Sequence, residues 1–233
     1  MGYNMFMKLI MFLLLASSCY AKDIVVMEID TGTDALHFSI MNHINKDDVS
    51  KYPSNYVDNQ GHGSHIAGLI VKDTCPQVKL ISCKFFDTNK GDGLEEESCL
   101  NRAINEHVDF VNLSWGGDDY NQRESDLLNK LNDNGTKIIV AAGNEHKYLG
   151  SPCFGYFPAC LLLSNMTVVG NLSKDGKMAR TSNYGVPGME WEVGEDVYST
   201  LPSNQWGYMT GTSQSAAIHT NRLLKQKCKE IIK

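Results

Sequence analysis

The 233-residue chain has no block of lysine and arginine, and no basic patch interleaved with aromatics. Nucleic acid and anionic membrane surfaces are therefore not expected as partners. Its formal charge of −6, from 21 basic and 27 acidic side chains, bears mainly on solubility. Internal repeats, low-complexity tracts and a Pro/Gly-rich linker are all lacking, so a single domain over residues 22–233 is the economical parse. No cysteine spacing suits zinc. The apolar run from Leu9 to Ala16 is too short to span a bilayer as a helix. With 42% hydrophobic and 9% aromatic residues, the composition is that of a globular protein rather than a disordered one.

What the first 21 residues do contain is Lys8, then that apolar run, then small residues ending at Ala21. This is the layout of a secretory signal, so residues 1–21 are read as a signal peptide and export is expected, to the outside or to the periplasm and cell envelope. "LLASSC" also sets Cys19 where a bacterial lipoprotein signal carries its lipidated cysteine, which makes a lipid anchor the competing outcome for this segment. Six cysteines follow (75, 83, 99, 153, 160 and 228), an even number suited to an oxidising compartment. Cys153 and Cys160 are the natural local bridge; the other pairings stay open. Four Asn-x-Ser/Thr sites, at Asn112, Asn134, Asn165 and Asn171, matter in a glycosylating host, and Asn112 is expected to be buried in a strand.

Beyond the signal, short apolar runs ("DIVVMEI", "VKLISCKFF", "VDFVNLSW", "TKIIVAAG", "MTVVGN", "VYSTL") alternate with helical patterns such as "HGSHIAGLIV", "EEESCLNRAINEH" and "ESDLLNKLNDNG". Continuous hydrophobic strands between amphipathic helices predict a doubly wound α/β domain, with a mostly parallel sheet covered on both faces. Asp30, Ser114 and Asn144 fall at or just after the ends of three such strands, where sites form in open α/β sheets.

"DTG" at Asp30 fits two chemistries: the water-activating carboxylate of an aspartic protease, or the carboxylate that orients a histidine. In "GHGSHIAGL", His62 opens a helix, whose N-terminus disfavours the protonated imidazole and so suits a general base. His62 and His65 share a metal-like spacing but lack a third ligand, so no metal or other cofactor is expected; His65 fits better as a core histidine. Ser213 in "MTGTSQSAA" stands at the mouth of the last helix, where a lone serine reads first as an N-cap. Asn144, after Gly143 in "IIVAAGNE", reads alone as a turn residue, though its amide can donate to an oxyanion.

Together, Asp30 in "DTG", His62 in "GHGSHIAG", Ser114 in "NLSWGG", Asn144 in "AAGN" and Ser213 in "GTSQSA" resemble the subtilisin-like serine proteases in motif and in chain order. An aspartic protease would need a second such carboxylate motif and would leave His62 and Ser213 without a role. The resemblance implies an endopeptidase acting on peptide or protein substrates. Ser213 would be the nucleophile, His62 the base, Asp30 its orienting carboxylate, and Asn144 with the Ser213 N–H the oxyanion hole. It further implies that Ser114, Trp115 and Gly116 pair with an extended substrate, that "KGDGLEE" forms the opposing edge, and that Gly143 flanks the site. Asp118, Asp119, Asp92 and Glu95 to Glu97 suggest an acidic groove with a preference for basic substrates.

Three departures from the family pattern stand out. The first strand begins almost directly after the signal, leaving no evident pro-segment. The span between Gly68 and "VKLIS" is too short for the family's calcium-holding insertion, and "DTNKGDGLEEES" matches an EF-hand loop poorly, so no calcium requirement is expected. Ala217 replaces the proline usual after the nucleophile, and the chain ends 20 residues past Ser213, so the back of the sheet is expected to be either bare or covered by a partner chain. The competing functional class is a peptide-binding protein that keeps the fold without turnover.

Overall fold

The computed structural model describes residues 22–85, 93–150, 152–153 and 155–231. The signal segment, Cys19 and the start of "DTNKGDGLEEES" lie outside these residues. Six strands form one parallel sheet in the order β2-β1-β3-β4-β5-β6. These are β1 (Ile24–Asp30), β2 (Val78–Lys84), β3 (Phe110–Leu113), β4 (Lys137–Ala141), β5 (Met166–Leu172) and β6 (Glu190–Val193). Because β1 has neighbours on both sides and helices above and below, it is buried along nearly its whole length, with Glu28 and Asp30 as its polar side chains.

The alternation of side chains sorts the core into two layers. Val26, Leu80, Phe110, Ile139 and Val169 face α2 (His62–Val71) and α5 (Thr212–Ile231). Met27, Ile81, Val111, Val140 and Val168 face α3 (Gly93–Asn105) and α4 (Gln122–Asp133). A short helix α1 (Lys46–Lys51), capped by Asn45, precedes a 3-10 turn at Pro53–Tyr56. The doubly wound α/β architecture thus follows from the pattern of buried strands and amphipathic helices.

"VYSTL" departs from expectation. It forms β7 (Val197–Leu201) of a separate antiparallel hairpin with β8 (Gln205–Met209), rather than joining the large sheet. Antiparallel pairing needs only a tight turn, which Ser203 and Asn204 supply by both adopting positive φ, while β6 takes the sheet edge next to β5. His65 holds this hairpin: its Nε2 lies 3.0 Å from the Val197 carbonyl and 3.3 Å from that of Gly207, as suits a core histidine.

Three disulfides brace the fold. Cys153–Cys160 is the expected local bridge, Cys83–Cys99 ties β2 to α3, and Cys75–Cys228 ties the turn after α2 to the far end of α5. Each such crosslink is typically worth about 2–4 kcal/mol. Asn112 is fully buried, as expected, and donates to Ser114 Oγ at 2.8 Å. Among the described residues, no helix is long and apolar enough to cross a membrane.

Candidate active site

β1 delivers Asp30 to the carboxyl edge of the sheet, where it is almost fully buried. Its Oδ1 accepts the Thr31 N–H at 2.7 Å and meets His62 Nδ1 at 2.7 Å. A carboxylate at Nδ1 fixes the tautomer: Nδ1 carries the proton, and Nε2 is left as the basic nitrogen. The His62 side chain keeps 32% of its surface exposed against 3% for Asp30, so the imidazole can meet a ligand while its partner cannot.

His62 is the first residue of α2, and a second carboxylate fixes that helix start. The N-cap is Gly61 at φ +91°, which offers no side chain, and Asp58 takes over. Its Oδ1 accepts from Gly61 N–H at 2.8 Å and from Thr31 Oγ at 2.9 Å, and its Oδ2 from Ser64 N–H at 2.8 Å. Thr31 Oγ1 in turn accepts the Gly63 N–H at 2.9 Å. Gly63 lets the helix approach this closely, since a Cβ there would lie 2.0 Å from the Gly32 carbonyl oxygen. Sequence reasoning passed over Asp58, which caps the helix from three residues before the Gly61 N-cap, where no N-cap pattern marks it.

Burial pushes the His62 pKa down, but the charge of Asp30 and the hydrogen bond to it, with a smaller contribution from Asp58, raise it to a net value above the ordinary 6.5. This corrects the argument from the helix N-terminus. The macrodipole is worth at most about 2 kcal/mol, and here the directly bonded carboxylate outweighs it.

Ser213 is the second residue of α5, inside the helix rather than at its cap. Its Oγ donates to the Ser114 carbonyl at 3.0 Å, and Ser114 Oγ donates back to the Ser213 carbonyl at 3.3 Å. Two reciprocal serine bonds therefore lock the start of α5 to the end of β3. A Ser213–His62 hydrogen bond is not among those formed by the described residues.

Asn144 supplies the cap that α5 needs. Its Oδ1 accepts the Thr212 N–H at 2.9 Å and the Thr212 hydroxyl at 3.2 Å, while Thr212 Oγ1 accepts the Gly143 N–H at 3.1 Å. With its oxygen engaged, Asn144 presents an amide nitrogen that has no acceptor among the described residues. The Ser213 N–H, in the first turn of α5, also has no acceptor among the described residues. A side-chain amide and a helix-start amide are the kind of pair that can stabilise a developing oxyanion.

The loop carrying Asn144 is braced by Asn183, which the sequence reading did not single out. Its amide donates to the Ala142 carbonyl at 2.9 Å, and its Oδ1 accepts the N–H groups of Glu145 at 3.1 Å and Lys147 at 2.8 Å. No periodicity or motif considered from sequence marks Asn183.

Gly116 and Gly143 flank a third unanticipated residue, Tyr156. A Cβ on Gly116 would lie 2.6 Å from the tyrosine ring, and one on Gly143, at φ +97°, 2.4 Å from it. The buried Tyr156 ring therefore sits between the two segments expected to hold substrate. Beside it, Gly117 pairs antiparallel with Phe157 through bonds of 2.9 and 2.7 Å. The Trp115 ring packs against Phe85 at 5.1 Å.

The broad acidic groove expected from sequence narrows in the structure. Asp118 is ion-paired with Lys147 at 2.6 Å, and Glu97 with Arg123 at 3.7 Å. Among the described residues, no cluster of three or more His, Cys, Asp or Glu side chains is arranged to hold a metal ion.

This geometry can be set beside known proteins. A family profile described as "Subtilase family" matches residues 21–226. The chain is 26% identical over 220 residues to "Subtilisin-like protease 2" of Plasmodium falciparum, a match covering 84% of this chain and 16% of that protein. It is 28% identical over 217 residues to the "Major intracellular serine protease" of Bacillus subtilis (strain 168), covering 86% of this chain and 67% of that one. The chain thus spans about a sixth of the first relative and about two thirds of the second. Among solved structures, a cold adapted subtilisin-like serine proteinase superposes with a TM-score of 0.76 at 17% identity, over 91% of this chain and 77% of that one, a likeness of fold. With the profile extending from three residues before β1 through most of α5, this chain belongs to the subtilase family.

Proposed function

We propose that this chain is an exported serine endopeptidase that hydrolyses peptide bonds in peptide or protein substrates. Ser213 Oγ attacks the carbonyl carbon while His62 Nε2 takes its proton; His62 then returns the proton to the leaving amine, and water repeats the sequence on the acyl-enzyme. Asp30 holds the imidazole tautomer and stabilises the imidazolium. Asn144 Nδ2 and the Ser213 N–H stabilise the oxyanion. The substrate runs along Ser114, Trp115 and Gly116, so a substrate N–H that bonds the Ser114 carbonyl frees Ser213 Oγ to turn toward His62.

The observation that carries this reading is the 2.7 Å contact between a buried carboxylate and His62. It lies at the carboxyl edge of the sheet, which Ser213 of α5 meets through the Ser114 carbonyl and Asn144 through its cap on Thr212. Membership of a family whose named relatives are serine proteases supports it. Residues 1–21 are proposed as the export signal and residues 22–233 as the peptidase domain, with lipidation of Cys19 as the alternative fate of the signal; three disulfides are consistent with an extracytoplasmic site.

Incubation of the purified protein with a mixed peptide library, read by mass spectrometry, tests the activity. Cleavage that disappears in Ser213→Ala is expected. Cleavage that persists in that variant would assign the activity elsewhere.

A further inference from the structure

Glu28 is a carboxyl that the proposed chemistry leaves unused. It stands two residues before Asp30 on β1, so the alternation of the strand puts both on the face that Val26 turns toward α2. Its register partners are Ser82 on β2 and Asn112 on β3. Asn112 is committed elsewhere, donating to Ser114 Oγ at 2.8 Å and accepting the Thr220 hydroxyl at 3.0 Å. Glu28 is 0% exposed, and neither of its carboxyl oxygens has a hydrogen-bond partner among the described residues. Ser82 Oγ, equally buried, is unpaired as well.

The carboxylates around it are placed differently. Asp30 accepts the Thr31 N–H and meets His62, and Asp58 accepts the N–H groups of Gln60, Gly61 and Ser64 together with the Thr31 hydroxyl. Each has the donors that a buried negative charge needs, and Glu28 has none. The cations of the surrounding elements are engaged elsewhere. Arg102 of α3 donates to the Ser82 carbonyl and holds Asp48 of α1 and Glu106, while Asp48 also takes the Tyr56 hydroxyl. Lys79 and Lys84 of β2 give their ammonium groups to the carbonyls of Pro76 and Val57, and His65 of α2 is held by the β7–β8 hairpin. Burial first, and then the charge of Asp30, push the Glu28 pKa well above its ordinary 4.5; the Ser82 hydroxyl pulls it down by less, and Asp58 adds to the rise. Geometry and charge agree that the folded state holds Glu28 as the neutral acid.

We propose that Glu28 makes the fold proton-dependent: β1 buries this side chain beside Asp30 at low cost only while it keeps its proton, so the residue favours the folded state in mild acid and withdraws that support as the solution turns neutral and then alkaline. The sign follows from linkage. The folded chain keeps a proton that the unfolded chain has already released, so the contribution of Glu28 is complete below about pH 4.5 and is lost as pH rises toward the folded value. The proposed chemistry runs the other way, since His62 takes a proton only as the free base, above about pH 6.5. The functional consequence, which rests on the peptidase reading above, is that mild acid keeps the protein folded and idle, whereas the pH that switches it on also shortens its life.

Thermal unfolding tests it on the Ser213→Ala protein, whose lack of turnover keeps self-cleavage out of the measurement, with Glu28 retained, with Glu28→Gln and with Glu28→Leu. Both replacements are permanently neutral. Each shifts the melting temperature by an amount of its own at every pH, so the informative quantity is how that offset from the parent changes. Between about pH 4.5 and about pH 8.5 the offset should rise by about 5–10 °C in both variants, the size that removing a buried, unpaired charge implies for a chain of this length. The histidines and the other glutamates are common to all three proteins and cancel. An offset that stays constant across the range, or failure of both neutral replacements to fold in mild acid, overturns the inference. In the active protein, the half-life of peptide cleavage at about pH 8.5 should lengthen several-fold in Glu28→Gln; an unchanged half-life overturns Glu28 as a control on the enzyme. No cleavage by folded wild type ends the peptidase reading and leaves the unfolding result to decide the role of Glu28 by itself.

Discussion

Ser213 Oγ donates its hydrogen bond to the backbone carbonyl of Ser114, 3.0 Å away, and Ser114 Oγ returns one to the Ser213 carbonyl. In this state the proposed nucleophile is parked on the segment proposed to bind substrate. Ser114→Ala removes one of these bonds and the acceptor of the Asn112 amide, leaving a buried donor unpaired. The variant should lose about 1–3 kcal/mol of stability. Its kcat should fall far less than that of Ser213→Ala, because the backbone carbonyl is unchanged; urea unfolding alongside peptide turnover checks both.

The pH dependence follows from His62. Only neutral imidazole can take the Ser213 proton, and Asp30 raises the His62 pKa above 6.5, so half-maximal kcat/KM on the acidic side should lie above pH 6.5. Asp30→Asn should move that midpoint down and lower kcat about 10⁴-fold, the size known for the equivalent change in another triad enzyme. The stability linkage has the opposite slope. A raised histidine pKa means that the Asp30–His62 pair contributes its full protonation-linked stability below about pH 6.5 and loses it as pH rises through the folded value. Paired pH profiles of kcat/KM and of unfolding midpoint separate the two effects.

Asn144 has two ends with separate jobs. Its oxygen caps α5 through Thr212, while its nitrogen, without an acceptor among the described residues, is the proposed oxyanion donor. Asn144→Asp keeps the acceptor and removes the donor, so kcat should fall roughly 100- to 1000-fold with little change in KM; that range was measured on the corresponding asparagine of a subtilisin. Thermal stability should hold near wild type, whereas Asn144→Ala should lose both the catalysis and about 1 kcal/mol from the missing cap. Calorimetry and steady-state kinetics on the two variants distinguish the roles.

Tyr156 occupies the space between Gly116 and Gly143. If the side chain preceding the scissile bond enters there, the wild type should favour small residues at that position. Tyr156→Ala should shift the preference toward phenylalanine or leucine by at least about tenfold in kcat/KM, at a stability cost of about 3–5 kcal/mol for a buried aromatic. Cleavage-site profiling of both proteins with one library reads this directly.

The elements that the sequence announces well are those in which local pattern and burial agree. β1 to β5 are short apolar runs that must be covered on both faces, and α2 to α5 carry periodic patterns, so their existence and order are legible. β6 is partly exposed at the sheet edge, and β8 pairs only within its hairpin, so neither carries a continuous apolar signal. The candidate site is legible at Asp30, His62, Asn144 and Ser213 because each stands in a short motif at a strand or helix end. Asp58, Asn183 and Tyr156 escape because their roles exist only in three dimensions. Asp58 caps a helix from outside it, Asn183 braces a loop some 40 residues earlier in the chain, and Tyr156 meets two glycines from separate loops, after β3 and after β4. The acidic groove is legible only as composition: the sequence supplies the carboxylates, and the structure adds that Asp118 pairs with Lys147 and Glu97 with Arg123.

The central claim is that Ser213 is activated by His62, and labelling of the mature protein with a fluorophosphonate probe tests it most directly. The expected result is covalent modification confined to Ser213, lost in Ser213→Ala and strongly slowed in His62→Ala. Folded wild type that resists the probe, or labelling unaffected by the His62 substitution, would contradict it.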